Sequence, residues 1–476
     1  METTVPANPT DITRLSASEL LRLYRDKSLS PVEVTQAVLA RIEQDNPVVN
    51  AFCVIDPDQA MASARASEDR WAKGAPCGMV DGVPTTIKDV VLTKGWPTLR
   101  GSRAIDPDQP WEDDAPCTAR LREQGAVLLG KTTTPEFGWK GITDSALTGI
   151  TRNPWNTNRT PAGSSGGAAA AAALGLGALH IGTDGGGSIR MPAAFTGVFG
   201  HKPTFGRVPA WPASPFGTLA HIGPITRTVA DAALMLNVLA LPDHRDWFSV
   251  PHDGFDYTTN LDDGVAGLRI AFSPDLGHAS VDPEVAALVR AAADVFTDLG
   301  GTVEEADPGI GDTTEIFRNH WYAGAATLLA GFSDEQRAVM EAGLQDVAVD
   351  GAKLSAVAYL KSATARANIG TRMREFHETY DLLLTPSVPI PAFEVGLESP
   401  DPAAQTRWTS WTPFTYPFNL TQQPACSAPC GFTSDGLPVG LQIVGRNFDD
   451  ALVLRAARAF ETARPFQMPG AINVQH

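Results

Sequence analysis

Cysteine is scarce in this chain, with five residues among 476. A small and odd number of cysteines does not suggest a disulfide framework and is typical of a reducing compartment. Residues 1–15 contain neither a basic start nor an apolar block, so the sequence predicts no secretory signal peptide. We therefore expect a cytoplasmic protein.

Basic residues are also fewer than acidic residues. Lysine and arginine total 37 against 54 acidic residues, which gives a formal net charge of −17. Nucleic acids and anionic membrane surfaces bind clustered lysine and arginine, so we expect neither as a partner. The sequence contains no run of about 20 apolar residues, and it therefore predicts no membrane span.

Several motifs that mark common chemistries are missing. Neither glycine-rich cluster is followed by the Gly-Lys-Ser/Thr of a phosphate-binding loop, and Gly175-x-Gly177 lacks the third glycine of a dinucleotide site. None of the nine histidines stands in a metal-binding pair such as His-Glu-x-x-His. Cys426 and Cys430 have no second pair and are expected to be buried apolar residues. The prediction is an enzyme without metal or cofactor.

Two short clusters of glycine and serine stand out instead. Residues 163–167 read Gly-Ser-Ser-Gly-Gly, and residues 185–188 read Gly-Gly-Gly-Ser. Successive glycines allow backbone N–H groups to point into one concavity, which suits an anion. A buried strand at 179–181 and a helix from Arg190 flank the second cluster, so Ser188 is predicted to be a nucleophile beside an oxyanion hole. A polar loop precedes residues 163–167, which argues against the nucleophile elbow of an α/β-hydrolase.

A lysine interrupts the apolar segment 86–92, with Asp89 directly after Lys88. A buried lysine is unfavourable unless it is paired or has lost its charge. One interpretation is that Lys88 extends to solvent or pairs with Asp89. The other is that burial makes Lys88 neutral, so that it serves as the base of a serine–lysine hydrolase. From the residues alone, glycine turns that merely pack a helix against a sheet remain an equal alternative.

Length alone suggests roughly three domains of about 150 residues each. No long polar linker divides the chain, so we expect one domain over residues 1–476. Residues 1–75 are expected to form an N-terminal helical part, and residues 313–378 a helical lid over the site. Residues 268–303 show a strand–helix–strand pattern, which predicts parallel pairing through a right-handed crossover.

Proline and glycine predict several element ends. A helix that begins at Pro31 is expected to end at Asn46, before Pro47. A short strand is expected to end at Gly130. Residues 414–440 are rich in proline and are therefore predicted to be irregular.

These motifs resemble those of the amidase signature family. Gly-Val-Pro-x-x-Ile-Lys-Asp occurs at 82–89, Gly-Ser-Ser-Gly-Gly at 163–167 and Gly-Thr-Asp-Gly-Gly-Gly-Ser-Ile-Arg at 182–190, in the order and at the spacing of that family. With three further stretches the resemblance covers about residues 15–465. The three stretches lie at 131–138, 151–155 and 436–445.

The resemblance implies an α/β fold with a mixed, mostly parallel central sheet covered by helices on both faces. It also implies a serine–cis-serine–lysine triad. Ser188 would be the nucleophile that forms the acyl-enzyme, Ser164 the bridging serine after a cis peptide bond, and Lys88 the final base. Ala162 stands where many members have glycine, and we expect no effect of this departure on the chemistry.

The remaining site residues come from the same resemblance. The backbone N–H groups of Gly185, Gly186 and Gly187, together with that of the nucleophile, would form the oxyanion hole. Asp184 and Arg190 would support this loop as a structural pair.

Aromatic residues indicate the kind of substrate. Phe137 and Trp139 lie in a segment that has the composition of an exposed loop, and such loops often line ligand pockets. We assign both to the substrate pocket and expect a bulky or aryl substrate. Four further aromatic residues are candidates for the same pocket: Trp211, Phe216, Trp408 and Trp411.

We predict a stand-alone amidase, a monomer or homodimer, that hydrolyses the C–N bond of a small-molecule carboxamide. Related members cleave carbamates (urethanes), ureas or cyclic amides, and these substrates stay open. A second alternative is the glutaminase subunit of a tRNA-dependent amidotransferase, but residues 340–360 lack its basic stretch followed by Gly-Thr-Tyr. The last alternative is a non-enzymatic binding protein on the same scaffold.

Overall fold

A computed structural model of the chain describes residues 12–470 and residue 472. Residues 1–11 of the predicted N-terminal helical part lie outside the described residues, as do most of those that bear on the signal peptide. Within the described part, no helix is both long and apolar enough to cross a bilayer.

The strands of the described residues are, in chain order, β1 (Phe52–Ile55), β2 (Pro84–Lys88), β3 (Val127–Thr132), β4 (Asp144–Ser145), β5 (Gly149–Ile150), β6 (Leu179–Asp184), β7 (Phe199–Lys202), β8 (His221–Thr226), β9 (Arg269–Phe272), β10 (Thr302–Glu305), β11 (Leu382–Pro386), β12 (Ala425–Phe432) and β13 (Pro438–Val444). The helices of the same residues are α1 (Ala17–Arg25), α2 (Pro31–Val49), α3 (Pro57–Ala72), α4 (Pro116–Glu123), α5 (Gly166–Leu174), α6 (Arg190–Thr196), α7 (Val229–Leu239), α8 (Pro283–Asp298), α9 (Thr314–Leu329), α10 (Asp334–Ala338), α11 (Ala342–Ala352), α12 (Ala356–Phe376), α13 (Pro417–Leu420) and α14 (Asp450–Ala463).

One mixed sheet runs through the described chain in the strand order β1-β3-β2-β6-β8-β7-β12-β13-β11-β9-β10. Parallel pairing is concentrated in two blocks, β3-β2-β6 and β11-β9-β10. The strands between these blocks pair antiparallel, as does β1 at the edge. The predicted α/β fold with a mixed sheet flanked by helices is confirmed, and β9 and β10 are parallel as their connection through α8 predicts.

Helix α2 passes through Pro47 and ends at Val49, so the predicted end at Asn46 is wrong. A proline removes one helical N–H donor, but the last turn still closes because the Asn50 N–H donates to the Asn46 carbonyl at 2.8 Å. Asn50 adopts the left-handed conformation at φ 52, which ends the helix. The Asn46 side chain then accepts the next two backbone N–H groups.

Strand β3 continues through Gly130 to Thr132, so the predicted end at Gly130 is also wrong. A Cβ atom at Gly130 would lie 2.0 Å from the carbonyl oxygen of Val54 in β1. The glycine therefore permits the close approach of two strands at the sheet edge and does not mark a turn.

Strand β12 occupies residues that were predicted to be irregular. Its pairing with β7 extends only from Ala425 to Ser427, while its pairing with β13 continues to Phe432 past a register shift between Pro429 and Gly431. Pro429 thus lies beyond the last partner in β7 and beside an irregularity, where the missing N–H removes no regular sheet bond. The prolines of this region are compatible with a strand for that reason.

Helices α9 to α12 fill residues 314–376, in agreement with the helical pattern predicted for 313–378. Buried aromatic residues on α9, among them Phe317 and Trp321, belong to a second hydrophobic core beside the main one. The role of these helices as a lid stays a prediction, as does the single domain over residues 1–476.

Candidate active site

Strands β2 and β6 bring the sequence motifs together. They are parallel neighbours, with Thr85 opposite Leu179 and Thr86 opposite His180. The carboxyl ends of parallel neighbours lie at one edge of the sheet, so Lys88 at the end of β2 lies close to the glycine loop that follows β6.

Lys88 is fully buried and faces hydroxyl groups. Its Nζ atom lies 2.7 Å from the Oγ atom of Ser164, 2.9 Å from that of Ser165 and 2.8 Å from Oγ1 of Thr183. Asp89 instead pairs with Lys131, at 3.1 Å between Oδ1 and Nζ. The interpretation that Lys88 extends to solvent or pairs with its neighbour Asp89 is therefore wrong.

Burial determines the charge of Lys88. It lowers the pKa of the Lys88 amine well below the ordinary value of 10.5, while the more distant Asp184 carboxylate opposes this shift. Hydroxyl groups can accept hydrogen bonds from an ammonium but do not neutralise its charge. The site therefore favours a neutral amine, which can accept a proton.

The first serine cluster, residues 163–167, leads into helix α5 and packs closely against the backbone at Ile142. The peptide bond from Gly163 to Ser164 is cis. A Cβ atom at Gly163 would lie 2.4 Å from the carbonyl oxygen of Ile142, so this position has no room for a side chain. The Ser165 N–H donates to the Ser188 carbonyl at 3.2 Å, which joins the first cluster to the second.

The glycine loop that follows β6 is held by its carbonyl groups. Each of four carbonyls in residues 184–188 accepts a hydrogen bond from outside the loop or from the helix that follows. The pairs are Asp184 with Asn419 Nδ2 at 2.9 Å, Gly186 with Thr415 Oγ1 at 2.7 Å, Gly187 with Met191 N at 2.8 Å and Ser188 with Ser165 N at 3.2 Å. The orientation of the peptide groups is thereby fixed.

The N–H groups of the same loop fall into two classes. The Gly187 N–H donates to the Asp184 carboxylate at 2.7 Å. The N–H groups of Gly185, Gly186 and Ser188 donate to no group in the described part of the chain. Preorganised donors without a partner are what an oxyanion requires.

A buried ion pair braces the loop. The Arg190 guanidinium donates from Nε and from one terminal nitrogen to the two oxygens of Asp184, both at 2.9 Å. Its other N–H groups donate to the Thr415 carbonyl and to the side-chain oxygens of Gln442 and Asn419. Burial alone would raise the pKa of the Asp184 carboxyl, but Arg190 and the Asn419 amide lower it below its ordinary value.

A cavity of about 230 Å³ opens at these groups. Ser164, Gly185 and Ser188 lie in its wall. Polar residues of the wall also include Thr183, Asp184 and His221, and most of the remaining wall is apolar. Its larger apolar residues are Phe137, Trp211, Phe216, Trp321 and Leu328.

The two aromatic residues assigned to the pocket are placed differently. Both Phe137 and Trp139 are buried, although their segment has the composition of an exposed loop. Phe137 lies in the cavity wall. Trp139 does not contribute to that wall, and its indole N–H donates to Glu341 at 2.8 Å.

The four further aromatic candidates for the substrate pocket also differ in position. Trp211 and Phe216 line the cavity, whereas Trp408 and Trp411 lie in the second hydrophobic core. Phe216 stacks on Trp321 with ring centroids 3.8 Å apart.

Aromatic rings also cover the glycine loop. A Cβ atom at Gly185 would lie 2.8 Å from the ring of Trp321. One at Gly186 would lie 2.7 Å from Phe317 and 2.8 Å from Trp408. Gly185 and Gly186 therefore have no room for a side chain beside these rings.

The structure adds residues that sequence analysis missed. Ser165 and Thr183 stand inside the quoted motifs, and their hydroxyl type could have indicated contacts with the lysine. Gln442 stands in the family-like stretch 436–445, but nothing in that stretch indicates a contact with Arg190. Thr415 and Asn419 carry no local signal, because they reach the loop from a part of the chain more than 200 residues away.

Comparison with known proteins identifies the family to which this chain belongs. Residues 33–454 match the family model described as Amidase. An acylamidase of Rhodococcus erythropolis is 38% identical over 95% of this chain and 96% of its own length. A glutamyl-tRNA(Gln) amidotransferase chain of Myxococcus xanthus is 38% identical over 96% of this chain and 98% of its own.

Among solved structures, a bacterial aryl acylamidase of the amidase signature enzymes superposes with a TM-score of 0.89. The two chains are 34% identical, and the match covers 95% of this chain and 96% of that one.

The first prediction concerns the ion pair that braces the loop. Arg190→Met removes the guanidinium that pairs with a buried carboxylate while keeping a similar volume, so we expect the free energy of unfolding to fall by about 3–5 kcal/mol. Urea denaturation measures this change. Lys353→Met, which breaks the exposed pair with Asp350, should cost less than about 1 kcal/mol, and equal losses in both variants would contradict the assignment.

The second prediction concerns the covered glycines. Gly186→Ala inserts a methyl group between Phe317 and Trp408, and we expect a loss of about 1–3 kcal/mol in the free energy of unfolding. Gly370→Ala is the matched control, because Gly370 lies in α12 with no atom within 4 Å of the added Cβ. This control should gain about 0.5–1 kcal/mol by helix propensity. A Gly186→Ala variant as stable as the unchanged protein would show that the rings do not confine the loop.

Proposed function

Because this chain is an amide-hydrolysing member of the amidase family, we propose that Lys88, Ser164 and Ser188 form its proton relay. One observation carries the proposal: the buried Lys88 Nζ lies 2.7 Å from Ser164 Oγ, and Ser164 shares the cavity wall with Ser188. A serine hydroxyl is a weak nucleophile without a base, and a neutral lysine can supply one through a second hydroxyl.

The hydrogen bonds around Lys88 give the relay a direction. The Ser165 hydroxyl donates to the Thr183 carbonyl at 3.1 Å, so it can only accept from Lys88. A neutral amine has two N–H donors and one lone pair. If the donors go to Ser165 and to the Thr183 hydroxyl, the lone pair accepts from Ser164. The oxygen of Ser164 is then free to accept a proton from Ser188.

The reaction follows from this arrangement. The Ser188 Oγ attacks the amide carbonyl, and its proton passes through Ser164 to Lys88. Lys88 returns that proton through Ser164 to the leaving nitrogen, the C–N bond breaks and an acyl-enzyme remains on Ser188. A water molecule then repeats the sequence at the ester and releases the acid.

The oxyanion formed in each half-reaction requires backbone donors. We assign the N–H groups of Gly185, Gly186 and Ser188 to this role. Gly187 was expected to contribute as well, but its N–H donates to Asp184, so it acts through the brace. Donors of this kind are each worth about 2.7–4 kcal/mol in a transition state.

The cavity favours an aryl or otherwise bulky amide. Its wall is largely aromatic and aliphatic, which suits the substrates that the names of the acylamidase and aryl acylamidase relatives indicate. Glutamine, the substrate of the amidotransferase alternative, would need a partner for its ammonium group. Asp184 is the only carboxylate among the described residues of the wall, and Arg190 already neutralises it.

The third prediction separates the substrate classes. Purified protein is incubated with an aryl anilide, the primary amide of the same acid and an aryl carbamate, and the amine or ammonia released is quantified. We expect aniline release, with kcat lowered at least about 10³-fold in Ser188→Ala. Ser214→Ala removes a hydroxyl from the cavity wall outside the relay and should have a far smaller effect.

Each other result points to a different function. Comparable carbamate turnover would widen the activity to urethanes, and ammonia alone would indicate a primary-amide amidase. Release of ammonia from glutamine only with partner subunits would favour the amidotransferase role. Full activity in Ser188→Ala would refute the relay.

The fourth prediction is a pH dependence. Only the neutral Lys88 accepts a proton, so kcat/KM should rise with pH through the lowered pKa of Lys88, at pH values below 10.5. Lys88→Arg keeps a positive charge that never dissociates, so it should lose both the rise and the activity. Lys202 is the nearby control, because burial lowers the pKa of its amine to about 7. A rise that disappears in Lys202→Met and persists in Lys88→Arg would contradict the assignment.

A further inference from the structure

Arg100 places a positive charge in the wall of the catalytic cavity. The residue is half-buried, yet no hydrogen bond or ion pair joins its guanidinium to the described part of the chain. A guanidinium carries five N–H donors, and removing them from water without a partner is unfavourable. The unpaired donors therefore indicate a ligand that the chain itself does not supply.

The backbone holds Arg100 in an unusual conformation. Its φ is 55, and Gly101 follows with φ 65. The Arg100 carbonyl accepts the Phe137 N–H at 2.7 Å, and the Gly101 N–H donates to Asp89 at 3.3 Å. A Cβ atom at Gly101 would lie 2.6 Å from the Thr134 carbonyl oxygen. The backbone at Arg100 and Gly101 is therefore packed tightly against residues 134–136. A non-glycine residue with positive φ inside such a contact is uncommon and often belongs to a functional site.

Nearby acidic groups are already neutralised. Asp89 is paired with Lys131, and Asp184 with Arg190. Burial lowers the pKa of the His221 ring well below its ordinary value, so this wall residue is neutral. Among the described residues of the wall, Arg100 thus carries the one charge without an ion-pair partner, and the Asp89 carboxylate that acts on it from outside the wall is already paired with Lys131.

We propose that Arg100 binds a carboxylate on the substrate, so that the preferred substrates are amides that carry an anionic group besides the scissile bond. This assignment rests on the proposed function, because it deepens the specificity of the same cavity. A planar guanidinium can donate two parallel hydrogen bonds to a carboxylate, which fixes its orientation as well as its position. The apolar wall would then hold the aryl or alkyl part between Arg100 and Ser188.

The contact between Arg100 and a substrate carboxylate acts at short range, inside the cavity, and does not attract the substrate from a distance. The chain has a formal net charge of −17, so the average field repels an approaching anion. A preference for anionic amides can therefore come only from a charge inside the cavity. The carboxylate can belong to the acyl part or to the amine part of the substrate, and the test has one arm for each.

The experiment compares two matched substrate pairs. 4-Acetamidobenzoate and 4-methylacetanilide differ in a carboxylate on the amine part, and succinanilate and butyranilide differ in one on the acyl part. The ratio of kcat/KM between the anionic and neutral members is measured in the wild type, Arg100→Gln, Arg100→Lys and Arg103→Gln. The ratio is independent of how much enzyme is folded, because both substrates are assayed on one preparation.

We expect Arg100→Gln to lower this ratio about 10- to 100-fold for the pair whose carboxylate reaches the guanidinium. Arg100→Lys should recover part of the loss, because it keeps the charge without the planar fork. Arg103→Gln removes an exposed arginine three positions away and should leave both ratios unchanged. Ratios in Arg100→Gln that match those of Arg103→Gln for both pairs would overturn the proposal.

A binding measurement separates this proposal from the relay. Calorimetry gives the Kd of Ser188→Ala for 4-acetamidobenzoate and succinanilate, with and without Arg100→Gln. Weaker binding of either anion on loss of the guanidinium supports the Arg100 site even if no substrate is turned over, in which case the relay alone fails. Equal binding of both anions in the two proteins would overturn the Arg100 site while leaving the relay intact.

Discussion

All five N–H donors of the Arg190 guanidinium have acceptors, and these hydrogen bonds connect the loop that carries Ser188 to the rest of the fold. Two of them neutralise Asp184, and the others reach residues of the late segments of the chain. A buried carboxylate without such a partner would be strongly unfavourable. With the partner in place, Asp184 can accept hydrogen bonds from the Gly187 and Ile189 N–H groups, which fixes the orientation of those two peptide groups.

The same ion pair bears on the charge of Lys88. An uncompensated Asp184 would favour an ammonium at Lys88 and so raise the pKa of that amine. Burial opposes this effect and determines the outcome, a lowered pKa of Lys88. Asp184 therefore supports the loop while it opposes the neutral form of Lys88, so that form depends on the burial of the amine.

The sequence predicts structure where the chemistry is local. The motifs around Lys88 and Ser188 place a strand end and a glycine turn at fixed spacing, and parallel strands bring the two to one edge. It fails where a residue type has two uses. Gly130 looked like a strand end but permits a close strand contact, and Trp139 looked like a pocket residue but packs away from the cavity. The Asn419 contact had no signal at all, because it depends on how distant segments fold together.

The glycine run shows how the catalytic and specificity features constrain one another. The N–H groups of Gly185 and Gly186 donate to no group among the described residues, and their missing side chains allow Trp321, Phe317 and Trp408 to pack directly on the loop. An apolar cover of this kind lowers the local dielectric constant, and in such surroundings each hydrogen bond to an oxyanion is stronger. Trp321 also forms part of the cavity wall, so the ring that covers the proposed oxyanion hole would also contact a substrate in the cavity. A change in substrate preference at this wall is therefore coupled to catalysis through the same ring.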